Sequence, residues 1–125
     1  MTNLIRTIAI VDDHLLFRQT ISHYLDMLGF QVTVEASNGM ELLRLLEDCN
    51  RLPAACLLDI EMPVMDGVAT TCVLRERYPE MKVVGLTLSL DNNKRQSILR
   101  AGASSVFFKG MEPSELQEAL FQILG

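Results

Sequence analysis

Five short apolar runs, Ile8 to Val11, Val32 to Ala36, Ala55 to Leu58, Val83 to Leu86 and Val106 to Phe108, have the length of strands, and a stretch with helical spacing separates each from the next. In the first such stretch Phe17, Ile21, Tyr24, Leu25 and Leu28 share one face; in the second, Leu42, Leu43, Leu46 and Cys49 do. Strands and helices alternating at these lengths imply a parallel sheet with right-handed crossovers and helices on both faces, an α/β fold. Punctuation agrees: Gly29, Asn38-Gly39, Asn50, Pro53, Pro63, Pro79 and Gly102 fall between the periodic segments. Pro113 suits the first turn of a last helix whose Leu116, Ala119, Leu120 and Ile123 face one side.

The 125 residues hold one core and no repeat, linker or low-complexity tract, so the expectation is a single domain over 1–125. No apolar run approaches the roughly 20 residues of a membrane span. Met1 to Ile5 do not read as the start of a secretion signal, and the expected location is the cytoplasm. Cys49, Cys56 and Cys72 are odd in number and form no C-x-x-C pair, which reads as buried free thiols. A net charge of −5 argues against direct binding of nucleic acid, because phosphate contacts need clustered Lys and Arg. The segment Asp91 to Arg100 has only Ile98 and Leu99 as strong apolar anchors; it should pack least firmly and be the moving part.

In an open parallel sheet, side chains at the carboxyl ends of the strands converge on one crevice. Here the first strand ends in Asp12-Asp13, the third in Asp59, the fourth in Thr87 and the fifth in Lys109. At about 5 Å and an effective dielectric near 20, three carboxylates would repel one another by about 10 kcal/mol in total. An all-oxygen cluster of this kind suits a hard cation such as Mg²⁺, whose charge together with that of Lys109 balances Asp12, Asp13 and Asp59. Such a site is prepared for a phosphoryl group, with Asp59, alone at the end of a buried run, as the nucleophile. Duller explanations exist for each residue: a helix cap for Asp12-Asp13, turn chemistry for Asp59, a solvated strand end for Lys109, strand propensity for Thr87. Their joint placement on four strand ends is what outweighs them.

The run Ile10-Val11-Asp12-Asp13-His14, the segment Asp59-Ile60-Glu61-Met62-Pro63-Val64-Met65-Asp66-Gly67, and the pairs Leu86-Thr87 and Phe108-Lys109 together resemble the response regulator receiver family over essentially the whole chain. That resemblance implies a (βα)5, flavodoxin-like receiver fold with strand order 2-1-3-4-5. It implies Asp59 as phosphoacceptor from a sensor histidine kinase. Asp13 and Asp59 would be direct ligands of Mg²⁺, Asp12 would act through water, and the backbone carbonyl of Glu61 would be a further ligand. Thr87 and Lys109 would hold phosphoryl oxygens, Pro63 and Gly67 would shape the loop beside Asp59, and Glu61 and Ser89 would modulate the lifetime of the phosphoryl group. The chain would then be a signalling phosphoacceptor and not a turnover enzyme, though one that assists its own phosphotransfer and dephosphorylation. Its switched surface would comprise the fourth helix, fifth strand and fifth helix, and would bind a partner or a second copy of the chain.

The sequence departs from the family pattern at Val106, where Tyr or Phe usually swings inward as Thr87 moves; Phe107 points to the opposite sheet face and is no substitute. Leu88 is bulkier than the small residue common there and would restrict access to Asp59. Gly110 replaces the frequent Pro, which removes the usual ground for a cis peptide. The opening Val-Asp-Asp-His and the stretch Lys109 to Leu116 look most like the branch with a LuxR-type helix-turn-helix output domain. No such domain lies within the sequence to Gly125, and an excised domain and a stand-alone regulator both fit. Two rivals share parts of this reading. A flavodoxin-like nucleotide binder would need amide-rich residues where Asp12-Asp13 stand. A haloacid-dehalogenase-type phosphatase would place its Asp nucleophile on the first strand. A receiver that has lost phosphotransfer is the third alternative, favoured by Val106 and Leu88.

Overall fold

The computed structural model describes residues 6–124, so the reading of Met1 to Ile5 and the terminal Gly125 lie outside the described residues. Within them five strands and five helices alternate: β1 (Thr7–Val11), α1 (Leu15–Met27), β2 (Gln31–Ala36), α2 (Gly39–Glu47), β3 (Ala55–Asp59), α3 (Gly67–Arg77), β4 (Lys82–Thr87), α4 (Asn92–Ala101), β5 (Ser105–Phe108) and α5 (Pro113–Leu124). The strands form one sheet in the order β2-β1-β3-β4-β5, every neighbouring pair parallel. Both the α/β class and the strand order expected from the sequence are present.

Pleating sorts the core into two layers. Ala9 and Val11 of β1, with Cys56 and Leu58 of β3, pack toward Leu42 and Leu46 of α2 and Leu74 of α3. The alternate residues Ile8, Ile10 and Leu57 pack with Leu25 of α1 and with Leu116 and Leu120 of α5. All five residues of β3 are buried, as a central strand covered on both faces requires. A third, smaller cluster of Ile60, Ile98 and Val106 lies under α4. Ile98 is the one fully buried residue of that helix, in keeping with the sparse apolar content of the segment. Gly85 makes room for it: a Cβ there would stand 3.0 Å from Ile98 Cδ1.

Helix starts are specified locally. Asn38 caps α2 by accepting from the Glu41 N–H, and the Glu41 carboxylate reaches back to the N–H and hydroxyl of Ser37. Asp66 caps α3 through Ala69 N–H, and Asp91 caps α4 through Asn93 N–H. Gly102 ends α4 in the left-handed conformation at φ 116°.

One side-chain expectation needs correction. Of the three cysteines only Cys56 is buried; Cys49 is half-buried and Cys72, on the solvent side of α3, is exposed. Burial pushes the Cys56 thiol up to about 12, so that thiol stays protonated and inert. On α1, Leu25 is fully buried and Phe17, Ile21, Tyr24 and Leu28 are half-buried. Among the described residues no helix is long and apolar enough to cross a membrane, and there is no cis peptide bond.

Candidate functional site at the carboxyl edge of the sheet

β1 and β3 are direct neighbours, with Val11 opposite Leu58, so the residues following Val11 and the last residue of β3 share one edge. Asp12 and Asp59 emerge there, 0% and 3% exposed. Asp13 and His14 follow on the exposed side. One ligand atom from each of Asp12, Asp13, His14 and Asp59 lies within 4.8 Å of every other. The first helix takes no cap from the acidic pair: its N-cap residue is His14, without a side-chain hydrogen bond. The Asp12 carboxylate is turned inward instead, accepting from the His14 N–H at 2.8 Å.

Lys109 comes from just beyond β5, across β4, and the chain between Asp12 and Lys109 is nearly the whole protein. Its Nζ donates to Asp12 Oδ2 at 2.6 Å and stands 3.4 Å from Asp59 Oδ2, with its side chain only 4% exposed. The Phe17 ring of α1 lies beneath the same ammonium, 4.7 Å from Nζ to the ring centroid. Arg18, one position on, donates to the main-chain carbonyl of Asp12 at 2.6 Å and so anchors the loop that carries the acids.

One buried ammonium is shared by the two buried carboxylates, Asp12 and Asp59, and Asp13 joins their cluster from the exposed side. Burial, and secondarily the charge of Asp12, raise the Asp59 carboxyl to about 6, although Lys109 and the Glu61 N–H, which donates to Oδ1 at 3.2 Å, pull it down. A cluster of hard oxygen donors short of positive charge is the donor set that a small divalent cation such as Mg²⁺ fits.

The loop after Asp59 is tightly built. Gly67 N–H donates to the Ile60 carbonyl at 2.8 Å and Met65 N–H to the Pro63 carbonyl at 2.7 Å, which places Val64 at φ 70°. A Cβ on Gly67 would fall 2.6 Å from Ile60 Cα and 2.7 Å from the Asp59 carbonyl oxygen, so only glycine lets α3 begin this close to the acid.

Thr87 ends β4, buried, with its hydroxyl accepting from the Ser89 N–H at 2.9 Å. Ser89 in turn accepts from Asp91 N–H, and together with Thr87, Arg95 and Val106 it lines a cavity of about 100 Å³ under the start of α4, not the cleft at Asp59. That cleft, about 120 Å³, is lined by His14, Asp59, Glu61, Leu88 and Lys109. Leu88 stands at its rim with 64% of its surface exposed. Val106 is buried beside Ile98, and Phe107 packs on the opposite sheet face.

The structure thus gathers Asp12, Asp13, Asp59 and Lys109, with Glu61 at the mouth and Thr87 on the adjoining strand end. Reading the sequence missed Phe17 as a neighbour of Lys109, since it looked like an ordinary apolar residue of α1, and it missed Lys94, whose Nζ lies 3.0 Å from Glu61 Oε2. Neither had a local signal.

The family model for the response regulator receiver domain matches residues 8–121. The chain is 37% identical over 114 residues to the transcriptional regulatory protein DegU of Brevibacillus brevis, covering 90% of this chain and 48% of that protein. It is 34% identical over 117 residues to the nitrate/nitrite response regulator protein NarL of Escherichia coli, covering 93% and 53%. The chain therefore spans about half the length of these curated relatives. In structure it superposes on the signal receiver domain of the response regulator NarL from Mycobacterium tuberculosis with a TM-score of 0.89 at 25% identity, covering 98% of both chains.

Proposed function

The chain belongs to the response regulator receiver family, and on that premise we propose that it accepts a phosphoryl group from a sensor histidine kinase on Asp59. The observation that carries this reading is the buried Asp59 carboxylate sharing the Lys109 ammonium with Asp12 inside a cluster of acids. One oxygen of Asp59 attacks phosphorus in line; the O–P bond forms as the P–N bond to the kinase histidine breaks, and the leaving imidazole takes up a proton. Lys109 meets a phosphoryl oxygen as it gives up its contact with Asp59. The Thr87 hydroxyl, which accepts from Ser89 N–H in the resting site, has its own proton to donate to a second oxygen. Asp13, Asp59 and the Glu61 carbonyl would hold Mg²⁺ directly and Asp12 would do so through water; the bound ion would supply neutralisation of the charge that builds on the phosphoryl oxygens. Glu61, at the mouth of the cleft, would tune the lifetime of the product directly, whereas Ser89, which lines the cavity under α4, would do so only through its N–H contact with the Thr87 hydroxyl.

Phosphorylation adds about one net negative charge to the pocket. Movement of Thr87 and Lys109 toward it would act on α4, which has one buried anchor, and so on the surface of α4, β5 and α5. Val106 supplies no aromatic side chain to that movement, so the coupling must run through other contacts. The surface would control an output, a LuxR-type DNA-binding domain outside these residues, by binding a partner or a second copy of the chain. The relatives' additional length and the name transcriptional regulatory protein carried by one of them support this. The domain itself, with a net charge of −5, would not contact nucleic acid, and it would work in the cytoplasm where the kinase's catalytic half resides.

Labelling by radioactive acetyl phosphate with Mg²⁺ tests the assignment. The wild type takes up label that acid, alkali and hydroxylamine all release, as an acyl phosphate requires, and Asp59→Asn takes up none; label persisting in Asp59→Asn refutes the role of Asp59. A receiver that signals without phosphotransfer, the reading that Val106 and Leu88 favour, would take up no label in either.

A further inference from the structure

Glu61 is held at both ends. Its N–H donates to Asp59 Oδ1 at 3.2 Å, and its carboxylate pairs with Lys94 of α4, Nζ to Oε2 at 3.0 Å. It lines both the cleft over Asp59 and an open depression of about 540 Å³ next to it, whose walls include Asp13, Lys94 and Ser97. Glu61 therefore stands between the two spaces, with Lys94 on the side of the larger one, and a single residue links the phosphoacceptor to a helix that has one fully buried side chain.

Charge gives this link a direction. A phosphodonor reaches Asp59 as an anion and passes Glu61, where an unpaired carboxylate would repel it; Lys94 removes that repulsion. We propose that Lys94 is a positioning residue of the phosphoacceptor site, holding and neutralising Glu61, so that the state of Asp59 is felt by α4 through the Lys94–Glu61 pair. This rests on the reading of Asp59 as phosphoacceptor. Once Asp59 carries a phosphoryl group, the added negative charge attracts the Lys94 ammonium and repels the Glu61 carboxylate, which weakens the pair and frees the first turns of α4. As a pair of half-exposed charges it would contribute little to global stability, so its effect should show in rates and local exchange, not in the unfolding midpoint.

Initial rates of acetyl phosphate labelling test the electrostatic part. At low ionic strength K94Q should label about two- to threefold more slowly than wild type, as a single unpaired charge at the mouth predicts, and the difference should shrink at high salt. K94R should restore the rate. In an E61Q background K94Q should cause no further slowing. Equal slowing in both backgrounds, or a K94Q rate equal to wild type at low salt, overturns the proposal. Amide hydrogen exchange in α4, measured without any phosphodonor, tests the tether separately. It should quicken in K94Q and in E61Q and no further in the double variant, and unchanged exchange overturns it. Failure of the wild type to take up label would count against Asp59 as phosphoacceptor, while the exchange measurement would still decide on Lys94.

Discussion

Replacing Asp59 by Asn should stabilise the protein, because the fold holds that carboxylate ionised against its preference. Its pKa stands at about 6 in the folded chain against an ordinary value of 3.8, with burial the largest cause. At roughly 1.4 kcal/mol per tenfold change in proton affinity, the ionised group costs the native state about 2 to 3 kcal/mol at pH 7. Asp59 is 3% exposed, so solvent does not screen this cost away. The native state binds the proton more tightly than the unfolded chain does, so wild-type stability falls as pH rises from about 4 to about 6 and is level above that. Asn imitates the neutral acid and escapes this loss. Urea unfolding in the presence of a chelator should therefore show Asp59→Asn and wild type nearly equal near pH 4. At pH 7 the Asn variant should unfold at a midpoint higher by about 1 M, for a slope near 2 kcal/mol/M. Added Mg²⁺ should narrow the gap by stabilising wild type alone. An advantage of the same size at pH 4 and pH 7, or a variant less stable than wild type at pH 7 without metal, would refute the account of Asp59 as a carboxylate short of positive charge.

Two further substitutions probe how the site is held. Phe17→Leu keeps an apolar side chain but removes the ring beneath Lys109, and acetyl phosphate labelling should slow about fivefold, the loss of roughly 1 kcal/mol of cation–π contact, while Phe17→Tyr labels at the wild-type rate. Gly67→Ala forces a Cβ to within 2.6 Å of backbone, so urea unfolding should show a loss of about 2 kcal/mol or more, together with a slower labelling rate as the loop carrying Asp59 shifts.

Much of this molecule could be read from residue order. The strand runs are recovered with small extensions: Ala55 to Leu58 continues to Asp59, and Val83 to Leu86 grows to Lys82–Thr87. The added residues are polar because ladder hydrogen bonds need only the backbone, and apolar periodicity cannot register them. Gly85 gave no hint of its purpose, since it is the approach of Ile98 from a distant helix that excludes a side chain there. Cys72 looked like its two fellow cysteines but lies on the solvent side of α3, a distinction set by which face of the helix meets the sheet.

Order along the chain determined the alternation of elements, the class of fold and the presence of Asp12, Asp13, Asp59, Thr87 and Lys109 at strand ends, because each depends on neighbours a few positions away. Tertiary structure alone decided that one ammonium is shared by Asp12 and Asp59, that it rests over Phe17, that Ser89 faces the cavity beneath α4, and that Lys94 closes on Glu61. Those contacts depend on the order of strands in the sheet and the seating of helices upon it, and side chains brought together by long loops of chain leave no periodic trace in it.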